Sequence, residues 1–91
     1  MKNILLVEDE MIIRLDIEIQ LEDLGYNVFS TSYAEEAIEI AEKEDIHLII
    51  MDIFLAGDMD GINATKIITS KSNIPIIFCT AVSTKKKHTI F

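Results

Sequence analysis

The sequence predicts an α/β domain built around a doubly wound parallel sheet. Three runs, 4–7, 47–51 and 74–79, are apolar at nearly every position, which is typical of strands buried on both faces of a parallel sheet. Segments with helical patterns separate these runs, so the chain alternates strand and helix. Its 91 residues, of which 49% are apolar and 26% are charged, have the size and composition of one folded domain.

The segment from Met11 to Leu24 is predicted to be the first helix, although part of it also alternates like a strand. An alternating run of this length exceeds the usual strand of about 4–8 residues, and apolar residues also recur at helical spacing. Gly25 supplies a C-terminal cap. The stripe expected to face the sheet comprises Ile13, Ile17, Leu21 and Leu24. A second stripe, roughly opposite, comprises Ile12, Leu15 and Ile19, and is either ordinary surface or a docking face.

The remaining elements follow in the order strand, helix, strand, helix, strand. Tyr26 to Ser30 is predicted to be a short edge strand, and Ser32 with Glu35 forms a capping-box pattern that opens a helix ending near Lys43. After the apolar strand 47–51, a third helix is expected at 62–70 and a fourth strand at 74–80. Pro75 lies near the start of that strand, where its missing N–H costs least.

Charge is distributed unevenly along the chain. All 16 acidic residues fall within residues 1–60, whereas residues 61–91 contain five lysines and no acid, and the net charge is −8. This acidic balance disfavours binding to nucleic acid. No apolar run approaches the roughly 18 residues needed to cross a bilayer, and the N-terminal segment does not have the form of a signal peptide. The sequence therefore predicts a cytoplasmic protein that binds neither nucleic acid nor a membrane.

Polar residues follow three of the predicted strands at the point where each strand ends. Glu8 and Asp9 follow the first strand, Asp52 ends the third, and Thr80 ends the fourth. In a parallel sheet these ends meet at one edge, where open α/β sheets bind ligands. Three carboxylates at one edge repel one another unless a cation is present, and ligation by oxygen alone favours Mg²⁺, with Mn²⁺ or Ca²⁺ as alternatives.

At these residues the sequence resembles the receiver domain of two-component response regulators. The matching positions, in chain order, are Glu8-Asp9, Asp52, Met59-Asp60-Gly61 and Thr80-Ala81. The resemblance implies a flavodoxin-like fold with strand order 2-1-3-4, with the first helix on one face and the other two on the opposite face. It extends from residue 2 to about residue 82. We therefore expect residues 1–82 to form an incomplete receiver domain, without its last strand and flanking helices, and residues 83–91 to form a short basic tail.

The resemblance also implies a role for each matching residue. Asp52 is the expected phosphoacceptor, and Asp9, Asp52 and the backbone carbonyl of Phe54 are expected to bind Mg²⁺, with Glu8 acting through water. The Thr80 hydroxyl and the Ala81 amide would hold the phosphoryl oxygens. The implied partner is a histidine kinase or a phosphotransfer protein, docked along the stripe defined above, and the output is conformational. The chain would then not be an enzyme, because it would catalyse at most its own phosphorylation and dephosphorylation.

Two other functions are consistent with parts of the same pattern. A truncated receiver that has lost its switch would act only as a metal-binding or docking module, since the phosphate-binding lysine of a complete receiver has no matching position here. An aspartate-nucleophile phosphatase is less favoured, because its sites resemble Asp-x-Asp whereas Ile53-Phe54 follows Asp52. We also expect a homodimer, formed through the exposed fourth strand or the C-terminal tail.

Overall fold

The computed structural model describes residues 1–55 and 57–79, and within them four parallel strands alternate with three helices. The elements are β1 (Asn3–Val7), α1 (Met11–Asp23), β2 (Asn27–Thr31), α2 (Ala34–Lys43), β3 (Leu48–Asp52), α3 (Gly61–Lys71) and β4 (Ile76–Cys79). The strand order is β2-β1-β3-β4, as the sequence predicted. None of the helices in this part of the chain is long and apolar enough to cross a membrane.

The main core lies on the face of the sheet that α2 and α3 cover. Leu5 and Ile49 are neighbours in the register of β1 and β3, and both are completely buried. Because side chains alternate along a strand, every second residue of β1 and β3 points to this face. The buried cluster comprises Leu5, Val7, Ala34, Ala37, Ile46, Ile49, Met51, Ala64 and Ile68. It confirms that the second and third helices share one face.

Helix α1 covers the opposite face and buries no residue fully. It contacts β1 and β2, and Leu21 lines the same groove as Ile4 of β1 and Leu48 of β3. The predicted sheet-facing residues Ile13, Ile17 and Leu21 are half-buried. Leu24 is not inward, since it is 73% exposed at the C-cap, where the chain turns out of the helix through Gly25 with φ 97°. The glycine cap is confirmed, and the inward placement of Leu24 is wrong.

The start of α2 differs from the capping box that the sequence predicted. Its N-cap is Tyr33, and no side chain caps it. Instead, the buried hydroxyl of Thr31 accepts a hydrogen bond from the Tyr33 amide at 3.2 Å and donates one to Glu36. The polar contact at this helix end therefore comes from the last residue of β2. The pairing of Ser32 with Glu35 is wrong.

The ends of the other elements lie close to their predicted positions. β2 lies at the sheet edge, one residue later than predicted. α3 begins after Asp60, whose carboxylate accepts a hydrogen bond from the Asn63 amide at 2.8 Å. β4 begins at Ile76, and the preceding Pro75 contributes its carbonyl oxygen to the Ile49 amide at 2.9 Å. Pro75 thus takes part in the pairing with β3 through its carbonyl, although it has no N–H to donate.

Side chains join the amino-terminal ends of β1, β2 and β3. The Asn3 amide donates to Nδ1 of His47 at 2.9 Å, and the His47 amide donates to the Asn3 carbonyl at 2.9 Å. The Asn3 side chain donates to the Asp45 carbonyl at 2.8 Å and accepts from the side chain of Asn27 at 3.1 Å. These bonds continue the strand pairing beyond the last ladder residues at the edge opposite the carboxylates.

β4 forms the other border of the described sheet. Among residues 1–55 and 57–79 it pairs only with β3. Two of its apolar side chains are largely exposed, Ile77 at 55% and Phe78 at 41%, and they point to opposite faces because they are adjacent in the strand. The predicted basic tail at 83–91 lies outside the described residues.

Candidate functional site

The register of β1 and β3 brings two carboxylates side by side at the edge of the sheet. Val7 pairs with Met51 as the last pair of the β1–β3 ladder. Glu8, which follows β1, and Asp52, the last residue of β3, each come one residue after that pair. Asp9 comes next, two residues before α1 begins at Met11. Parallel strands therefore place the acidic group at their carboxyl ends, as the sequence predicted.

One carboxylate oxygen from each of Glu8, Asp9 and Asp52 lies within 4.8 Å of the other two. We call these residues the acidic cluster. Glu8 and Asp52 are each only 1% exposed, and Asp9 is half-buried. Two oxygens bound to one Mg²⁺ at about 2.1 Å are at most about 4.2 Å apart, and Ca²⁺ allows about 5.2 Å. The 4.8 Å limit falls between these two values, so the three carboxylates are close enough to face one ion once their side chains rotate toward it.

Glu8 is held through both its backbone and its side chain. Its amide donates to the Thr31 carbonyl of β2 at 3.0 Å, and its carbonyl accepts from Nη1 of Arg14 in α1 at 2.9 Å. Its carboxylate Oε2 accepts from the Glu10 amide at 2.9 Å. β2 and α1 thus both hold the turn that carries Glu8 and Asp9.

Asp52 is held by the loop that follows it and by the start of α3. Its Oδ1 accepts a hydrogen bond from the Phe54 amide at 3.2 Å. The Gly61 amide donates to the Ile53 carbonyl at 2.9 Å, and Gly61 lies so close to the strand that a Cβ there would be 2.1 Å from the Asp52 carbonyl oxygen. Only glycine fits this contact, because the atoms it meets belong to the backbone of Asp52 and Ile53.

The structure brings together only part of the predicted site. Glu8, Asp9 and Asp52 converge, and Phe54 adjoins them in the loop after β3, with its side chain 50% exposed. Thr80 and Ala81 lie outside the described residues. The predicted docking stripe is on the surface of α1, with Ile12 77%, Leu15 47% and Ile19 56% exposed.

Two residues that support the site were not predicted from the sequence. Gly61 was interpreted only as part of a helix start, and Arg14 was given no role. The sequence did give an indication for Gly61: glycine is unfavourable in a helix, so its presence in the first turn suggests a close backbone contact there. The signal for Arg14 was its charge, because it is the only arginine in the chain and lies in a half that is strongly acidic.

Comparison with known proteins agrees with this arrangement. Residues 4–90 match the family model of the response regulator receiver domain. The chain belongs to this family. The resemblance inferred from the sequence motifs is thereby confirmed, as is the flavodoxin-like fold class with its four-stranded order.

The curated relatives of this receiver domain are longer regulators. A probable transcriptional regulator, ycf27, of Porphyridium aerugineum is 34% identical over 82 residues, which cover 90% of this chain and 34% of the relative. The transcriptional regulatory protein PdtaR of Mycobacterium tuberculosis is 37% identical over 83 residues, which cover 90% of this chain and 40% of PdtaR. The chain thus spans between about a third and two fifths of these relatives.

Solved structures of receiver proteins superpose closely on this receiver domain. The receiver domain of the sensor histidine kinase PA1611 from Pseudomonas aeruginosa has a TM-score of 0.83 at 34% identity, covering 96% of this chain and 73% of that one. Its crystal structure has a magnesium ion coordinated in the active site cleft. The chemotaxis protein CheY4 of Vibrio cholerae has a TM-score of 0.82 at 30% identity, covering 97% and 76%.

Proposed function

We propose that this receiver domain accepts a phosphoryl group on Asp52 from a phosphohistidine of a kinase or phosphotransfer protein. The observation that carries the proposal is the acidic cluster, in which a buried aspartate at the end of β3 lies beside Glu8 and Asp9. The family to which the chain belongs supports it, since response regulators act in two-component signalling. The output is a change of conformation that passes the phosphorylated state to other parts of the signalling system.

The proposed transfer is a direct displacement at phosphorus. A carboxylate oxygen of Asp52 forms a bond to phosphorus while the phosphorus–nitrogen bond of the donor breaks, and its electron pair returns to the imidazole, which takes up a proton. The hydrogen bond from the Phe54 amide to Oδ1 of Asp52 fixes the rotation of the carboxylate during this step. The proposed contacts of Thr80 and Ala81 with the phosphoryl oxygens belong to residues outside the described part of the chain.

The proposed metal is Mg²⁺, because the acidic cluster offers oxygen ligands at suitable spacing and the PA1611 receiver domain binds this ion in its cleft. Asp9, Asp52 and the Phe54 carbonyl would hold it, with Glu8 acting through water. The ion would supply positive charge that offsets the carboxylates and the transferring phosphoryl group. The residues of the chain would supply the nucleophile and its orientation.

Phosphorylation can be tested with acetyl phosphate, which needs no kinase. We expect the native chain, incubated with acetyl phosphate and Mg²⁺, to gain the mass of one phosphoryl group in intact mass spectrometry. Asp52→Asn should gain none, since an amide is a poor nucleophile. Asp58→Asn is the matched control, because it makes the same change at an exposed position of the loop that follows Asp52. Absence of an adduct on the native chain would instead indicate a receiver that retains docking without a working switch.

Metal binding can be tested by thermal unfolding. Without metal, Asp52→Asn should melt at a higher temperature than the native chain, because it removes one of three mutually repelling carboxylates. Millimolar Mg²⁺ should raise the melting temperature of the native chain by mass action and that of Asp52→Asn by less. Equal responses of the two proteins to Mg²⁺ would exclude a metal site that includes Asp52.

We propose that the exposed stripe Ile12, Leu15 and Ile19 is the surface that meets the phosphodonor. Its position on α1, beside the acidic cluster, and its exposed apolar side chains support this assignment. Replacing Leu15 and Ile19 together by lysine should slow transfer from a phosphorylated kinase that labels the native chain. Labelling by acetyl phosphate should remain.

The control for the docking surface is Ile62→Lys. Ile62 is 44% exposed, like the residues of the stripe, but it lies on α3 and therefore on the other side of the sheet. Its substitution should leave both kinase transfer and acetyl phosphate labelling unchanged. Loss of both activities in the α1 variant would show that the fold was damaged, and retention of kinase transfer would exclude the stripe as the docking surface.

A further inference from the structure

Arg14 extends from α1 back to the turn that carries the first two carboxylates of the acidic cluster. It is half-buried, and its Nη1 donates to the carbonyl oxygen of Glu8 at 2.9 Å. Its own amide donates to the Glu10 carbonyl at 2.9 Å, in the first turn of the helix. Helical side chains point toward the N-terminus of their helix, so an arginine at this position can reach the strand end that precedes α1.

The bond to the Glu8 carbonyl constrains Asp9 as well. The carbonyl of Glu8 and the amide of Asp9 belong to one planar peptide group. A guanidinium that fixes the carbonyl oxygen therefore fixes the rotation of this plane, and with it the direction in which the Asp9 side chain leaves the backbone. The Glu8 amide and the Glu8 carboxylate make their own hydrogen bonds, to the Thr31 carbonyl and from the Glu10 amide, whereas the Arg14 bond is made to the carbonyl of this peptide plane.

The charge of Arg14 acts in the opposite direction. A positive charge close to the acidic cluster repels an incoming cation. If charge alone mattered, a neutral residue at position 14 would tighten the binding of Mg²⁺. If Arg14 acts by holding the Glu8–Asp9 peptide, a neutral residue would weaken it. The two explanations therefore predict opposite signs for the same measurement.

We propose that Arg14 is a positioning residue for the metal site, holding the Glu8–Asp9 peptide so that both carboxylates face Asp52. The inference rests on the proposed function for the identity of the ion, although the geometry of the turn is independent of the ion. The Arg14 bond to Glu8 is the observation that carries it. Arg14 thus links the first turn of α1 to the acidic cluster and would make cation binding sensitive to the position of this helix.

The decisive experiment is a calorimetric titration of Mg²⁺ into the native chain and Arg14→Gln. We expect Arg14→Gln to bind roughly fivefold more weakly, corresponding to about 1 kcal/mol for one charged hydrogen bond. Lys43→Gln is the matched control, because it makes the same charge change at an exposed residue whose partner is Glu39 on α2. It should bind within about twofold of the native chain. Equal or tighter binding by Arg14→Gln would overturn the proposal.

Arg14→Lys separates hydrogen bonding from charge. Lysine keeps the charge but offers a point donor instead of a planar fork, so binding between that of the native chain and that of Arg14→Gln is expected. If Arg14→Gln does not fold, Arg14→Lys decides the question alone, since binding as tight as that of the native chain would then overturn the proposal. Thermal unfolding without metal shows whether each variant is folded.

Amide hydrogen exchange tests the proposal without any metal. The Glu10 amide is bonded to the Glu8 carboxylate in the turn, and its protection should fall in Arg14→Gln. The Asn63 amide, bonded to Asp60 at the start of α3, should keep its protection. Unchanged protection at Glu10 would overturn the positioning role. If the native chain bound no Mg²⁺, the proposed metal site would fail, whereas the exchange result would still decide whether Arg14 holds the turn.

Discussion

A methyl group at position 61 should disturb both the stability of the fold and the acidic cluster. The Cβ of Gly61→Ala would lie 2.1 Å from the Asp52 carbonyl oxygen and 3.0 Å from the Cα of Ile53. Ordinary van der Waals contact begins at 3.4 Å, so the methyl and the oxygen must separate by about 1.3 Å. Both neighbouring atoms belong to the backbone, and no side-chain rotation can relieve the contact.

The expected cost follows from two opposing effects. Inserting a methyl group into a well-packed region costs about 1–3 kcal/mol, and contact with backbone favours the upper part of this range. Replacing glycine by alanine within a helix recovers about 0.5–1 kcal/mol. We therefore expect a net loss of about 2 kcal/mol in the free energy of unfolding, which for a domain of this size lowers Tm by about 8–16 °C.

Urea denaturation followed by circular dichroism, with and without Mg²⁺, measures both consequences. Because the displaced oxygen belongs to Asp52, the stabilisation by Mg²⁺ should also be smaller in Gly61→Ala. Gly25→Ala is the control, since a Cβ there meets no atom within 4 Å but the residue has φ 97°. It should lose about 1 kcal/mol from backbone strain and keep the native response to Mg²⁺. A smaller loss in Gly61→Ala than in Gly25→Ala would refute the steric argument.

Three further predictions concern the edges of the sheet and the start of α3. His47→Phe should lower the free energy of unfolding by about 1–3 kcal/mol in urea denaturation, because the Asn3 amide loses its acceptor at the end of β1. Asp60→Ala should lower it by about 0.5–2 kcal/mol, because the helix loses its N-terminal cap. The exposed Ile77 and Phe78 should promote self-association through β4, visible by light scattering over a roughly tenfold dilution.

Each of these predictions has a matched control. Asp45→Asn removes an exposed partner of the His47 ring at 3.5 Å and should change stability by less than about 0.5 kcal/mol. Asp58→Ala changes an exposed acid that precedes the cap and should have a similarly small effect. Ile77→Lys should abolish self-association, and Ile62→Lys should not. A native chain that stays monomeric at all concentrations would contradict the dimer prediction.

The strands of the sheet were predictable because a buried strand is recognised from its own residues. Buried parallel strands are apolar at nearly every position, and both central strands could be located from this property alone. The order of the strands was predicted from the resemblance to receiver domains, which rested on the four motifs at the strand ends and at the start of the third helix. The convergence of Glu8, Asp9 and Asp52 followed once the strands were taken as parallel, because parallel strands end at one edge.

The contacts that the sequence did not predict depend on tertiary placement. Gly61 is required by the approach of α3 to the backbone of Asp52, and no local pattern reports the distance between two elements. The start of α2 was predicted wrongly because Ser32 and Glu35 satisfy a local rule, while the buried Thr31 provides the polar contact in the folded chain. The roles of Thr80 and Ala81 stay predictions.

Helix α1 buries no residue fully, so its outer surface can accept substitutions during evolution more readily than the sheet can. Substitutions on the outer side of this helix remove little apolar contact, so their effect on folding is small. The residues that would choose a partner are thereby separated from those that maintain the sheet. After gene duplication, two copies can diverge along this helix and acquire different partners while both remain folded throughout. Substitutions in this helix can thus change the choice of partner with little loss in the free energy of unfolding.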